Sequence, residues 1–197
     1  FLSLSGRHVE TKPIKGTRAR TNNTEADKLA ALELRNSSKD RAENLMIVDL
    51  LRNDLGKTCK PGSIRVDKLF EIESYPAVHH LVSTISGELS ANKTAFDLLR
   101  SCFPGGSITG APKHRAMEII EELEPNQRKI YCGSIIYISA DGKMDSNIAI
   151  RTLLCERNQI YCWGGGGIVA DSNWQLEYQE TFDKVGQLIS SLEEALN

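Results

Sequence analysis

The sequence predicts an α+β fold, in which helices and antiparallel strand pairs are mixed along a chain of 197 residues. One observation is that strand-like segments flank tight turns such as Asp141-Gly142, a dipeptide typical of β-hairpins. A second is that helical segments fall between the strands without the regular strand–helix–strand alternation of a parallel sheet. No repeat of solenoid period is present. The length fits one large domain or two small ones.

The composition is that of an ordinary globular protein: 40% of the residues are apolar, 25% are charged and the net charge is −2. Nothing in this balance indicates a nucleic-acid binder, which would have a strongly basic face. The apolar runs are too short to cross a bilayer, and the N-terminus lacks the apolar stretch of a signal peptide. The five cysteines form no Cys-x-x-Cys pair, which predicts reduced, mostly buried thiols in a cytoplasmic compartment and no structural zinc. Because the chain begins at Phe1 rather than methionine, we expect it to be the C-terminal part of a longer protein.

Two helices are predicted early in the chain. Thr24-x-x-Asp27 is a start signal for the first, and Ser37-x-x-Asp40 for a second that runs over residues 40–55. The middle of the second helix, residues 45–51, is apolar nearly all round, which predicts burial. Glu43 lies one turn earlier, and a carboxylate that enters such a core needs a counter-charge.

Strands and further helices follow. The predicted strands cover residues 63–66, 68–73, 78–86, 134–139, 147–155 and 159–163. A short helix begins at Thr94-x-x-Asp97, and a longer one opens at Ala111-Pro112 and runs to about residue 124. A final long helix begins after Asp171, with Ser172-x-x-Gln175 as its predicted capping box. Its apolar stripe consists of Tyr178, Phe182, Val185, Ile189 and Leu192.

The most reactive candidate is Lys15, in the run Pro13-Ile14-Lys15-Gly16-Thr17. Proline and glycine make the segment stiff and prone to turn, so that it can aim the lysine amine. In a dry pocket the pKa of such an amine falls, and the amine becomes a nucleophile or a base. The alternative is a solvated loop lysine, since lysine is rarely buried.

Glu177, Glu180 and Lys184 lie three and four residues apart, so they line one stripe of the final helix. Two carboxylates one turn apart repel each other, and a hard cation such as magnesium would relieve the repulsion. Glu43, on a different helix, could complete the ligand set. The alternative is a solvated acidic face.

Other segments suit an anionic ligand. Residues 104–113 form a loop that leads into a helix, where backbone N–H groups favour an anion, although a plain turn fits equally. The glycine run 164–167 follows a strand and lets the backbone approach a ligand closely or forms a bulge. Arg151, inside a predicted apolar strand, is expected to be buried or to line a cleft, with a bound carboxylate or an internal acid as its partner. His80, on an apolar strand face, is a candidate catalyst or a core histidine.

Seven segments, in order and over nearly the whole chain, together resemble the chorismate-utilising enzymes, and within them the aminodeoxychorismate branch. They are residues 13–17, 40–50, 76–83, 104–113, 148–152, 165–172 and 177–181. Lysine at position 15 marks that branch, because anthranilate synthases carry a segment that looks like Pro-Ile-Ala-Gly-Thr there.

The resemblance implies a four-layer α/β/β/α architecture, of which residues 1–197 would be the C-terminal part of a single catalytic domain. It implies amination of chorismate to 4-amino-4-deoxychorismate, in p-aminobenzoate and folate biosynthesis. Ammonia would come from a glutamine amidotransferase subunit. Two alternatives stay open: another chorismate enzyme, either an anthranilate or an isochorismate synthase, and a non-catalytic chorismate-binding fragment. The second arises because the general-acid glutamate of the family falls just before the position of Phe1.

The resemblance also implies roles for individual residues. Magnesium would be held by Glu43, Glu177 and Glu180. Lys15 would attack ring carbon 2 as the 4-hydroxyl leaves, with His80 near that hydroxyl, and ammonia would then add at carbon 4 and expel the lysine. The residues expected to hold the enolpyruvyl carboxylate or to complete the pocket are Thr17, Ser107, Tyr131, Arg151, Gly165, Gly166, Gly167 and Lys184.

Overall fold

The computed structural model describes residues 1–170 and 172–196, so that Asp171, which the sequence places before the last helix, lies outside the described residues. The chain folds as two compact units. Unit 1 comprises Phe1–Met117 and Ile136–Asn147, and unit 2 comprises Glu118–Ile135 and the described residues from Ile148 onward. Helices and antiparallel strands are mixed, which confirms the predicted α+β class.

Unit 1 is built on a seven-stranded antiparallel sheet around one long central strand. The strands are β1 (Ser3–Ser5), β2 (His8–Thr11), β3 (Ile14–Ala19), β4 (Arg65–Ser74), β5 (Val78–Glu88), β6 (Ile136–Ile138) and β7 (Met144–Ser146). Strands β2 and β3 pair with successive parts of β5, and β4 pairs with β5 along nearly its whole length. Beyond β2 the sheet continues through β1 and β7 to β6, which gives the strand order β3-β5-β2-β1-β7-β6. The central strand β5 therefore sets the alignment of three of the other strands.

Four helices belong wholly or partly to unit 1: α1 (Thr24–Asn36), α2 (Ser38–Gly56), α3 (Ala95–Cys102) and α4 (Lys113–Leu123). The core forms where α2 and α3 pack on the sheet. Its largest buried side chains include Leu2, Val9, Ile47, Val48, Leu55, Ile85, Leu89, Leu98 and Met144. Full burial of each such side chain stabilises the fold by roughly 1.5–3 kcal/mol.

Local start signals predicted most of these helices. The Thr94 and Asp97 side chains form the predicted capping box of α3, and the Ser37 hydroxyl accepts from the Asp40 N–H at the start of α2. The first helix differs, because the Asn23 side chain caps α1 and Thr24 is its first residue. The burial predicted for residues 45–51 holds for only part of that segment. Leu45 and Met46 are 44% and 40% exposed, since only one side of α2 meets the sheet.

Unit 2 contains a hairpin and a long helix. Strands β8 (Leu153–Glu156) and β9 (Gln159–Cys162) pair around Arg157-Asn158, and both turn residues have positive φ as a type I′ turn requires. Helix α5 (Trp174–Leu196) is capped by Asn173, whose Oδ1 accepts from the N–H groups of Gln175 and Leu176. Ser172, the predicted cap, has a different role, because its hydroxyl donates a hydrogen bond to the Glu177 carboxylate.

The predicted strand over residues 147–155 is wrong for residues 147–152, whereas residues 153–155 belong to β8. The true partner across the Asp141-Gly142 turn is β7, which ends at Ser146. The next residues are irregular because Ala149 exchanges backbone hydrogen bonds with Cys132 and Gly133 rather than with a neighbouring strand. No described helix is long and apolar enough to cross a membrane.

The burial of the thiols leads to a first prediction. Burial raises the pKa of the Cys102 thiol to about 11, whereas Cys155 is exposed. At pH 8 about one Cys102 thiol in a thousand is then the reactive thiolate. We expect a disulfide reagent such as Ellman's to modify Cys155 first and Cys102 only after unfolding in denaturant. A Cys155→Ser variant should lack the fast phase. Fast modification of Cys102 in the folded chain would contradict the packing of α3.

Candidate functional site

Lys15 lies on a β-bulge, and the bulge explains why proline and glycine surround it. Strand β3 pairs with β5 at Ile14 and Val82 and again at Thr17 and His80, so β3 has one extra residue between these pairs. Such a bulge redirects a side chain. Gly16 has φ +83°, and a Cβ there would lie 2.7 Å from Leu34 Cδ1. Only glycine fits both the conformation and the space, so the lysine's orientation depends on the residue that follows it.

The Lys15 amine meets the Glu43 carboxylate of α2. Lys15 Nζ lies 3.6 Å from Glu43 Oε2, and the two side chains are 19% and 18% exposed. The lysine is therefore no solvated loop residue. The counter-charge predicted for Glu43 is confirmed, and its source is the candidate nucleophile itself.

His80 lies directly opposite Thr17 in the sheet. The Thr17 hydroxyl and His80 Nδ1 are 2.9 Å apart, and the Tyr75 ring lies 5.6 Å from the His80 ring, centre to centre. The ring is partly buried rather than enclosed in the core. Its orientation is fixed by a side-chain hydrogen bond across two strands, an arrangement that suits a group which must face a ligand.

Asn44, next to Glu43, is a residue that sequence reasoning missed. It is 0% exposed, its amide donates to the Leu81 carbonyl at 3.4 Å, and its Oδ1 accepts from Ser83 Oγ at 2.6 Å. A buried amide that lost these partners would cost about 1–3 kcal/mol. The network therefore fixes α2 over β5, and with it the position of Glu43. The available signal was an asparagine within an apolar helix.

The loop of residues 104–113, which carries Ser107, is fastened to α2 at two points. A Cβ on Gly106 would collide with the Leu50 side chain, so the loop backbone lies directly on the helix. The Lys113 amine donates to the Asp54 carboxylate at 2.6 Å and to the Cys102 carbonyl at 2.9 Å. Asp54 is 1% exposed. Lys113 is therefore an internal partner that holds the loop, and the partly buried Ser107 stays the loop's candidate ligand contact.

In unit 2, the glycine run lies against helix α5 and Tyr131. A Cβ on Gly164 would lie 2.8 Å from the Thr181 carbonyl oxygen, and one on Gly165 would lie 2.7 Å from Tyr131 Oη. A Cβ on Gly166 would lie 3.1 Å from the Glu177 carboxylate. The glycine backbone therefore closely approaches surfaces of the protein's own chain, and its approach to a ligand stays a prediction.

The two acids of α5 face the same glycine. Glu177 Oε2 and Glu180 Oε1 would lie 3.1 Å and 3.9 Å from a Cβ on Gly166. Glu177 is only 6% exposed and accepts from Ser172 Oγ at 2.7 Å, which excludes a fully solvated acidic face. Glu180 forms an ion pair with Lys184, whose amine also donates to the Gly165 carbonyl at 3.1 Å. The stripe of Glu177, Glu180 and Lys184 predicted on α5 therefore packs against the glycine run.

These acids fit part of a magnesium site. Carboxylate oxygens are the ligands that magnesium prefers, and Glu177 and Glu180 present theirs around one point. Within the described residues, neither unit by itself gathers three acidic, histidine or cysteine side chains into a metal-binding group. Glu43, the third expected ligand, belongs to unit 1.

Tyr131 belongs to an aromatic stack beside the glycine run. Its ring is stacked with Trp163 at 6.3 Å between centres, and Trp163 is stacked in turn with Tyr161 at 5.9 Å. Burial raises the pKa of Tyr131 to about 12, so its hydroxyl stays protonated at neutral pH and can donate to an anion. The stack accounts for Trp163, to which sequence reasoning assigned no role.

The expectation for Arg151 is corrected. The residue is exposed, lies outside any strand and has φ +48°. The prediction failed because the apolar run around it is not a strand: the chain turns at Arg151 before β8 begins at Leu153. No acid within the described part of the chain pairs with its guanidinium. Its donors are therefore available to a bound carboxylate.

The chain is similar to known proteins over nearly its full length. The sequence profile of the family described as chorismate binding enzyme matches residues 1–190. Aminodeoxychorismate synthase component 1 of Salmonella typhimurium is 60% identical over 193 residues, which cover 98% of this chain and 42% of that protein. Anthranilate synthase component 1 of Mycolicibacterium smegmatis is 49% identical, over 98% of this chain and 37% of that protein. The chain thus spans less than half of the length of these relatives.

The fold is shared with a solved structure. The crystal structure of anthranilate synthase component I from Streptococcus pneumoniae matches 93% of this chain and 40% of its own, with a TM-score of 0.83 and 43% sequence identity. This similarity confirms the fold that the sequence resemblance implied.

The loop attachment leads to a second prediction. Lys113→Met leaves the buried Asp54 carboxylate without its closest partner, and loss of one member of a buried ion pair costs about 3–5 kcal/mol. The matched control is Lys57→Met, which removes a 54% exposed lysine from the same carboxylate and should cost at most about 1 kcal/mol. Urea unfolding of the full chain measures both. Equal losses in the two variants would contradict the role given to Lys113.

Proposed function

Because this chain belongs to the chorismate-binding enzyme family, we propose that it carries catalytic residues for the amination of chorismate to 4-amino-4-deoxychorismate. The observation that supports this most is the half-buried Lys15, held 3.6 Å from Glu43 on a bulge that only glycine permits. Lysine at that position marks the aminodeoxychorismate branch in the sequence resemblance. The high identity to a protein named for that activity supports the same branch.

The proposed reaction exchanges a hydroxyl for an amine in two displacements. The free amine of Lys15 forms a bond to ring carbon 2, the ring double bonds shift, and the 4-hydroxyl leaves with a proton as water. Ammonia then forms a bond to carbon 4, the double bonds shift back, and the Lys15 amine is released. The sum is chorismate plus ammonia giving aminodeoxychorismate plus water. His80, which Thr17 orients, is proposed to lie beside the departing hydroxyl, and the proton would come from the general-acid glutamate that the family carries just before the position of Phe1.

Glu43 has two roles in this proposal. Its carboxylate lies 3.6 Å from the Lys15 amine and helps to position that amine. Glu43 would also be one of the residues that hold magnesium, because carboxylate oxygens are the ligands that magnesium prefers.

Unit 2 would supply the groups that hold the substrate's carboxylates. Glu177 and Glu180 are the proposed magnesium ligands of this unit, and magnesium, when bound, neutralises a carboxylate of the substrate. The neutral Tyr131 hydroxyl and the exposed Arg151 guanidinium are the proposed donors to the enolpyruvyl carboxylate. The backbone of Gly165, Gly166 and Gly167 would lie beside it.

Ammonia is proposed to come from a glutamine amidotransferase subunit. The name "component 1" of the similar Salmonella protein implies a second component. The activity itself is tested by product analysis of the full-length gene product with chorismate, magnesium and an ammonium salt. Aminodeoxychorismate as the product supports the proposal. Anthranilate or isochorismate as the product would contradict the proposal and indicate the corresponding synthase. Binding of chorismate without turnover would indicate a non-catalytic chorismate-binding protein.

A third prediction concerns Lys15. In the full-length protein, Lys15→Ala should slow aminodeoxychorismate formation at least about a hundredfold, since it removes the covalent step, and should shift the product toward the anthranilate type. The matched control is Lys12→Ala, which removes a nearby lysine that pairs with Glu73 instead. Chromatography of the products with excess ammonium salt measures both rates. An unchanged rate and product in Lys15→Ala would remove this lysine from the mechanism.

A fourth prediction concerns the acids of α5. Glu177→Gln and Glu180→Gln should each raise the magnesium concentration needed for half-maximal activity at least about tenfold, because each removes an anionic ligand. The control is Asp183→Asn, on the same helix, whose carboxylate accepts from Gln179. Magnesium titrations at saturating chorismate separate the cases. A normal magnesium response in both glutamine variants would refute the ligand assignment.

A further inference from the structure

A pocket of unit 1 lies outside the residues assigned above. It has a volume of about 180 Å³ and is lined by Arg35, Asn36, Arg41, Leu69 and Phe70. These residues come from the end of α1, the start of α2 and the bulged part of β4. No residue of the proposed chorismate chemistry lines it, so its occupant is a separate question.

The pocket holds two guanidinium groups that have no acidic partner. Within residues 1–170 and 172–196, neither Arg35 nor Arg41 forms an ion pair. Other arginines of the same unit are neutralised: Arg20 pairs with Asp27, and Arg52 with Asp49. Arginine does not lose its charge at any physiological pH, so two such groups around one pocket repel each other until an anion arrives.

An aromatic ring is placed in the pocket at a conformational cost. Strand β4 shifts register between Lys68 and Glu71, and Phe70 within that shift has φ +58°. A non-glycine residue adopts the left-handed region only at a conformational cost. The Phe70 N–H is held by the Ser83 hydroxyl at 3.1 Å, and the Arg41 guanidinium lies 4.9 Å from the centre of the Phe70 ring. The ring orients the guanidinium of Arg41 beside the pocket, where its N–H donors can meet a carboxylate.

From this geometry we infer that the pocket binds a small aromatic carboxylate. Its two guanidinium groups and the Asn36 amide supply donors for the carboxylate, and Leu69 and Phe70 supply apolar surface for the ring. A cavity of about 150 Å³ accepts a benzene ring, so a volume of about 180 Å³ suits a benzoate-sized ligand. The ligand enters as an anion with an apolar body, which distinguishes it from inorganic phosphate.

Ligand-observed NMR titration of the full chain tests this inference, with benzoate as the probe. Benzoate should bind at least about tenfold more tightly than benzamide, which has the same shape without the charge, and than inorganic phosphate, which lacks the ring. Arg35→Gln and Arg41→Gln should each weaken benzoate binding about tenfold or more. Arg41→Lys, which keeps the charge but cannot donate as a planar fork, should weaken it less than Arg41→Gln.

Two controls make the outcome decisive. Arg52→Gln removes a paired arginine of α2 and should leave benzoate affinity unchanged. Lys15→Ala should also leave it unchanged, which separates this pocket from the proposed chorismate site. Equal affinity in wild type and Arg41→Gln, equal binding of benzamide, or loss of binding in Lys15→Ala would each overturn the inference. Thermal unfolding curves confirm that each variant is folded before titration.

Discussion

Helix α2 is held to the rest of unit 1 by buried polar side chains. Asn44 and Asp54 are 0% and 1% exposed, and both are fully engaged by groups from elsewhere in the chain. Burial of either without its partners would cost several kcal/mol, so the helix can slide or rotate only at a large penalty. The position of α2 also determines the surroundings of two site residues. Glu43, next to Asn44, is thereby placed beside the Lys15 amine, and Leu50 is placed against Gly106 in the loop that carries Ser107.

The two units carry different parts of the proposed chemistry. Unit 1 has the groups that would act at the ring: Lys15 as nucleophile, Glu43 as its ion-pair partner and His80 beside the departing hydroxyl. Unit 2 has groups suited to anions, and its glycine segment can lie against α5 only because it has no side chains. Under this proposal, the bond-making groups belong to the sheet of unit 1 and some of the carboxylate-binding groups to a glycine segment braced by a helix.

Local signals in the sequence predicted what depends on neighbouring residues. The capping box at Thr94 and the start of α2 at Ser37 are examples, because a cap needs only the next three or four residues. The Lys15 site was predicted through the resemblance. Its ion pair with Glu43 was not predicted from the sequence, because the pair depends on the bulge of β3. Arg151 was misplaced because an apolar run looks the same whether it pairs as a strand or, as at Ala149, bonds back to an earlier turn. Long-range pairings leave no periodic trace, and Lys113 with Asp54, 59 residues apart, left none.

The crowding around the glycine run has a consequence for how genetic variants of this protein are interpreted. Gly164, Gly165 and Gly166 each lack room for a single methyl group without movement of a neighbour. A missense change at Gly164, where the added atom would meet backbone, would therefore disturb the packing on α5 even if that glycine never touched a metabolite. Intolerance at that codon measures internal clearance, and a map of inactivating alleles should not be taken there as an outline of the ligand.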